Sequence, residues 1–198
     1  MTFYIVEVDG TTTDFKVYKD FLVHNSRFFD AAFNGNFAES VTQAMTLHDT
    51  DAKVFGLLVS YIYVGELDNG GIITADNLLR LWILADRVLM PKLQNHVIRI
   101  IETMAEFEPS ADVLHLIYHH DRQYSVLRDF VTEFFALNQC AALASPQDLP
   151  KDMLAEVFLV ARDMLIKKGG KFTHQRLCKF LVEEEEPGRF SKTSTGSI

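Results

Sequence analysis

The chain has 198 residues, of which 48% are hydrophobic, and a formal net charge of −8. That length suggests one domain or one domain with an appendage, and that much apolar material builds a sizeable core and excludes general disorder. The acidic balance repels phosphate backbones and argues against direct nucleic-acid binding, leaving the short basic run Lys167-Lys168-Gly169-Gly170-Lys171 to be read as a helix end and loop.

The first eighteen residues predict a hairpin. FYIVEV is β-branched and aromatic, Asp9-Gly10 supplies a turn pair, and DFKVY alternates apolar and polar residues. After Tyr18 the period changes to a helical one. Leu22 and Val23 belong to a short helix, and Ser26 caps a second that carries Phe28, Phe29, Ala32 and Phe33. Asn34-Gly35-Asn36 is expected to end that helix, because Asn and Gly tolerate the left-handed conformation. A short strand follows in QAMTLHD, and Asp49 or Asp51 is positioned to cap the next helix.

Phe55, Leu58, Val59, Ile62 and Tyr63 share one face of that helix, and Gly65 stops it. A turn-rich connector leads to a helix marked by Leu78, Leu81, Trp82, Ala85, Val88 and Leu89. Pro91 opens another, with Leu93, Val97, Ile100, Ile101 and Met104 as its apolar residues. Strands first, then short helices, then a helical stack predict an α+β domain of about 100 residues. Glu106 to Pro109 is polar and proline-marked and reads as a boundary. Beyond it Ser110–Asp121, Val126–Leu137 and Met153–Leu165 are amphipathic, with the widest stripe at Leu127, Phe130, Val131, Phe134 and Phe135. A last helix is expected from Thr173 to Val182, and the end, EEEEPGRFSKTSTGSI, has no apolar period and reads as disordered.

Chemistry-bearing motifs are sparse. The chain has no GxGxxG, GxxxxGK[ST] or GxSxG pattern, so neither a phosphate cradle nor a nucleophile elbow has a candidate. His119-His120-Asp121 lies along a helix, where neighbours point about 100° apart and do not converge on one metal. His115 and His119 have the i, i+4 spacing of a ligand pair, with Asp112 one turn earlier, but no further ligand or general base accompanies them. A metal-dependent enzyme using this pair is the remote reading, and half-buried or surface histidines the plain one. Cys140 has no partner base nearby, and with Cys178 it makes neither a disulfide framework nor a zinc motif, as in a reducing compartment. The N-terminus lacks a basic lead and a long apolar run, and no segment reaches the roughly 18 apolar residues of a membrane span. The expectation is a cytoplasmic or nuclear protein with no membrane association, no enzymatic activity and no cofactor.

The segments FKVYKDFLVHNSRFFDAAFNGNFAES, MTLHDTDAKVFGLLVSYIYVGEL and LLRLWILADRVLMPKLQNHVIRII, in that order, resemble a BTB/POZ domain over residues 3–104. Lys19, Ser26, Phe29, Phe37, Glu39, Ser40, Tyr61, Tyr63, Gly65, Ala85 and Asp86 stand where that family's pattern has matching residues. YHHDRQYSVLRDFVTEFF resembles the helical extension that follows the domain in many fungal members. The resemblance implies a small mixed sheet packed on a helical cluster followed by an all-α extension: a BTB/POZ domain at 1–104, a helical extension at 105–182 and an acidic, polar tail at 183–198. It implies protein partners, by either of two uses. One is adapting a cullin scaffold to the substrates of a ubiquitin ligase, for which Phe37-Ala38-Glu39 matches the family's hydrophobic-x-Glu step. Asp51, Lys53, Tyr61 and Tyr63 would then flank the same face. The other is a homo-oligomerising scaffold or transcription-linked protein with no cullin partner. Tyr18 stands in place of the family's usual His, and the chain begins almost on its first strand. Both departures weigh against a domain-swapped homodimer. A kelch repeat, MATH domain, ankyrin array or zinc finger is not evident in these residues.

Overall fold

The computed structural model describes residues 3–8, 14–67, 73–104, 106–119, 125–137, 146–166 and 181–182. Strands β1 (Phe3–Val8) and β2 (Asp14–Tyr18) pair antiparallel, with Phe3 opposite Tyr18 and Val6 opposite Phe15. The third strand, β3 (Ala44–Leu47), joins the other edge of β1 in parallel, giving the order β2-β1-β3. A parallel partner needs a crossover. Here three short helices supply it: α1 (Lys19–Asn25), α2 (Arg27–Asn34) and α3 (Ala38–Thr42).

Ser26 separates α1 from α2 and ties them to the rest of the domain. Its hydroxyl accepts from the Phe29 amide at 3.1 Å, capping α2, and donates to the Val88 carbonyl at 2.5 Å. Phe29 and Phe33 are fully buried, while Phe28 is half-buried against them. Gly35 does close α2, but not in the left-handed conformation expected of it: its φ is −84° and ψ −159°. The demand for glycine is steric, since a Cβ would lie 2.2 Å from the Ala31 carbonyl oxygen that accepts the Gly35 amide. Among the described residues the left-handed ones are instead Gln43 after α3, Asp49 and Leu89, together with Gly65 (φ 80°) after the next helix.

Helix α4 (Ala52–Val64) starts at Asp51, whose carboxylate accepts from the amides of Lys53 and Val54 at 2.7 and 3.4 Å. Its buried residues are Val54, Phe55, Leu57, Leu58 and Ile62, so the face is rotated from the expected one. Tyr63 leaves the core because its hydroxyl accepts from the Tyr18 amide at 3.0 Å on the domain surface. Helix α5 (Ala75–Arg87), capped by Thr74, is buried continuously from Leu81 to Ala85, as suits a central helix with neighbours on several sides. Leu89 was expected on its apolar face but is exposed, because the helix has already ended and the chain turns through positive φ there. Helix α6 (Pro91–Thr103) packs beside α5, and Gln94 ties the two by donating to Asp86 at 3.0 Å.

Helices α7 (Ala111–His119), α8 (Ser125–Leu137) and α9 (Lys151–Ile166) follow, with one turn of 3₁₀ helix at Pro146–Asp148. The predicted stripe of α8, from Leu127 to Phe135, is buried. Its apolar side chains join one core cluster with those of α4 to α6. A pair of hydrogen bonds bridges the expected boundary at 104 and 105: Ser110 donates its amide and hydroxyl to Asp76 at 2.7 and 2.6 Å. Beyond the boundary, Phe107 meets Phe134 of α8 edge-on at 4.8 Å between centroids. The Asp9-Gly10 turn, Cys140, Cys178, most of the expected final helix and the acidic tail lie outside the described residues; Leu181 and Val182, at that helix's end, are not helical.

Candidate interaction surface

Phe37 follows the Gly35 break and occupies the N-cap position of α3. Its carbonyl accepts both the amide and the hydroxyl of Ser40, at 3.1 and 2.7 Å, which fixes the backbone while the ring stays outside. The ring is 61% exposed, and Val41, four residues on and therefore on the same side of the helix, is 84% exposed. Glu39 lies between them in the first turn, half-buried. Sequence periodicity did not single out Val41, because α3 spans only Ala38–Thr42 and carries no buried residue to define a period.

The other expected residues fall at the two ends of α4. Asp51 caps its start, and Lys53 is exposed beside it. The loop before this cap is held by Arg87, which donates to the His48 carbonyl at 2.9 Å and to the Asp49 carbonyl and Thr50 hydroxyl at 3.4 Å. Lys53 and Tyr63 are ten residues apart on the helix, which at 1.5 Å per residue separates them by about 15 Å. Tyr61 and Tyr63 point in different directions. Tyr61 is half-buried with its ring 5.2 Å from that of His96. His96 is held below the usual imidazole range, chiefly by burial and then by the charge of Arg99.

Tyr63 belongs to an aromatic cluster that reaches the surface. Its ring lies 4.8 Å from Phe21 and 6.2 Å from Tyr18, and Phe21 is 43% exposed. Val64 beside it is 67% exposed. Phe21 has a sequence signal, an aromatic residue directly before the buried Leu22. Adjacent helical positions point about 100° apart, so on a short helix with one buried side Phe21 turns outward where Leu22 turns in.

The histidine pair gains no metal geometry. The ring Nε2 of His115 lies 3.1 Å from the Asp148 carbonyl, which can only accept, so that nitrogen carries the proton. His115, His119 and Asp112 are exposed, and His120 and Asp121 lie outside the described residues. Among the described residues no group of three or more His, Cys, Asp or Glu side chains is placed to hold a metal ion. Nor, among them, is any helix long and apolar enough to cross a membrane.

The BTB/POZ family model matches residues 4–105, just over half of the chain. This chain belongs to the BTB/POZ domain family. The small mixed sheet backed by α1 to α6 is the family domain, and the domain is a protein-protein interaction module. Among curated proteins, the chain is 29% identical over 100 residues to Kelch-like protein 21 of Danio rerio, a match covering 50% of this chain and 16% of that protein. It is 35% identical over 77 residues to Kelch-like protein 30 of Homo sapiens, covering 39% of this chain and 13% of that protein. The chain thus matches a small part of each relative's length. Among solved structures, the BTB domain of zebrafish PATZ1 aligns over 51% of this chain and 75% of that one, with 19% identity and a TM-score of 0.41.

Proposed function

We propose that this BTB/POZ protein is an adaptor that docks a cullin-type ubiquitin-ligase scaffold through the start of α3. The observation that carries the proposal is the exposure of Phe37 on a backbone held rigid by Ser40. An aromatic ring that is already positioned loses little conformational freedom on binding, and one ring filling a partner's pocket can dominate an interface. Val41 extends the apolar contact, and Glu39, half-buried in the same short helix, supplies a nearby charge. Asp51 and Lys53 contribute from the start of α4, with Tyr61 and Tyr63 more distant contributors at its other end. The BTB/POZ match and the Kelch-like relatives support an interaction role of this kind.

The test is binding of purified chain to a cullin N-terminal region by calorimetry. Phe37→Ala is expected to weaken binding by about 30-fold, the equivalent of a hot spot of about 2 kcal/mol. Glu39→Lys should weaken it less and with a stronger dependence on salt. Unchanged binding in both variants would overturn this site.

A further inference from the structure

Ser110 stands where the BTB/POZ domain passes into its extension, and its hydroxyl serves both. The hydroxyl donates to one oxygen of the Asp76 carboxylate at 2.6 Å, and the Ser110 amide donates to the other at 2.7 Å. Toward the extension, Ser110 holds the N-cap position of α7. Its carbonyl accepts the Leu114 amide at 3.2 Å, and its Oγ lies 3.5 Å from the Val113 amide. One proton decides which part this oxygen serves. An Oγ that has lost it can still accept from α7 but can no longer donate to Asp76.

The segment that carries Ser110 is accessible. Residues 106–110 lie in neither helix nor strand, and their burial alternates: Phe107 and Pro109 are buried, while Glu106, Glu108 and Ser110 are exposed. A period of two belongs to extended backbone and sets those three residues on one side. Asp112, two residues further on, is exposed as well. An extended stretch that presents a hydroxyl among carboxylates is complementary to a kinase whose substrate channel is basic.

We propose that Ser110 is a phosphorylation site for an acid-directed serine/threonine kinase, and that the phosphate releases the extension from Asp76. The Ser110 Oγ attacks the γ-phosphorus of a nucleoside triphosphate. The new O–P bond forms as the bond to the nucleoside diphosphate breaks, and the hydroxyl proton passes to the kinase's base. The product carries a charge of about −1.5 to −2. Toward Asp76 it meets a carboxylate and is repelled; toward α7 it meets the positive end of a helix and is held. The phosphate stays with α7, and the hydroxyl bond to Asp76 is lost.

The experiment uses the full chain. Folded protein is treated with a purified acid-directed kinase and magnesium ATP, and in parallel phosphoserine is incorporated at position 110 during translation. Mass spectrometry of the treated protein should place one phosphoryl group on Ser110. Amide exchange followed by NMR should then change in opposite directions on the two sides of Ser110. The Ser110 amide should exchange about tenfold faster, and the Val113 amide about tenfold slower, than in the unmodified chain. Asp76→Asn replaces the carboxylate with a group that donates to a phosphate, so it should cancel most of the acceleration at Ser110. The kinase acts on protein already folded, which keeps the test open even if the translated phosphoserine chain fails to fold. No phosphate at Ser110 would overturn the site. A phosphorylated chain with both amides unchanged would overturn the release. So would slower exchange at Ser110, as expected if the phosphate paired with a cation such as Arg80, one turn along α5 from Asp76. Equal acceleration in Asp76→Asn would overturn repulsion as its cause.

Discussion

Single side chains in this protein carry more than one task, and Tyr118 shows how that becomes measurable. Its hydroxyl lies 2.6 Å from that of Thr132, whose own proton is directed at the Arg128 carbonyl at 2.8 Å. Arg128 in turn lies over the Tyr118 ring at 4.7 Å and forms a two-point pair with Glu156 of α9. Burial pushes the phenol up to about 12, with smaller opposing contributions from the Thr132 hydroxyl and the charge of Arg128. The folded value lies above the unfolded one near 10, so the folded state holds this proton longer. The associated stability is fully present below about pH 10 and is lost as pH rises through about 12. Urea unfolding at several alkaline pH values should therefore show a steeper loss for the unaltered chain than for Tyr118→Phe. Parallel curves for the two would show that the phenol does not titrate this way.

At the scale of the element, two glycines that look alike in sequence act for different reasons. Gly35 closes α2 with ordinary negative φ, but its missing Cβ leaves room for the Ala31 carbonyl at the last helical hydrogen bond. Gly65 closes α4 at φ 80°, with open space around it. Gly65→Ala should cost about 1 kcal/mol, the penalty for a Cβ in the left-handed region. Gly35→Ala should cost more, about 1–3 kcal/mol, because backbone must move to relieve the overlap. That movement would also shift the Phe37 step two residues later, so Gly35→Ala should weaken partner binding whereas Gly65→Ala affects stability alone. Chemical denaturation separates the first effect, and the cullin-binding measurement the second. The failure to read Gly35 correctly is instructive: a helix-ending glycine signals a special position, but whether φ or crowding makes it special depends on where neighbouring backbone lies.

The whole molecule is organised by the joint between the BTB/POZ domain and the three helices after it. Phe107 is 4% exposed and packs within the extension against Phe134 and Phe135 of α8. The Asp76–Ser110 hydrogen bonds fasten the start of α5 to the residue that precedes α7. We propose that residues 105–182 form an extension coupled to the domain through this joint rather than an independent unit. Calorimetry of the unaltered chain should give one unfolding transition. Asp76→Ala should destabilise by about 1–3 kcal/mol and split the transition, because it removes both hydrogen bonds that fasten the two parts. A single transition at unchanged temperature in that variant would sink the coupling.

Local pattern alone was enough for the helices of the stack, the cap at Ser26, the buried stripe of α8 and the family resemblance through the segments around Phe29, Tyr61 and Asp86, while it left Asp49 and Asp51 both open as the cap of α4. Each of these depends on residues within a few turns of one another, where spacing and hydrogen-bonding capacity decide. The removal of Tyr63 from the core and the pairing of Asn95 with Val182 were decided by tertiary contacts, and the exposure of Phe37 by local bonds that carry no period. Phe37 is held out by a short helix too brief to show a period. Tyr63 is drawn to the backbone of Tyr18, forty-five residues away. Asn95 bonds both backbone groups of Val182, eighty-seven residues away, and no spacing rule relates a side chain to a backbone it meets only when the fold closes.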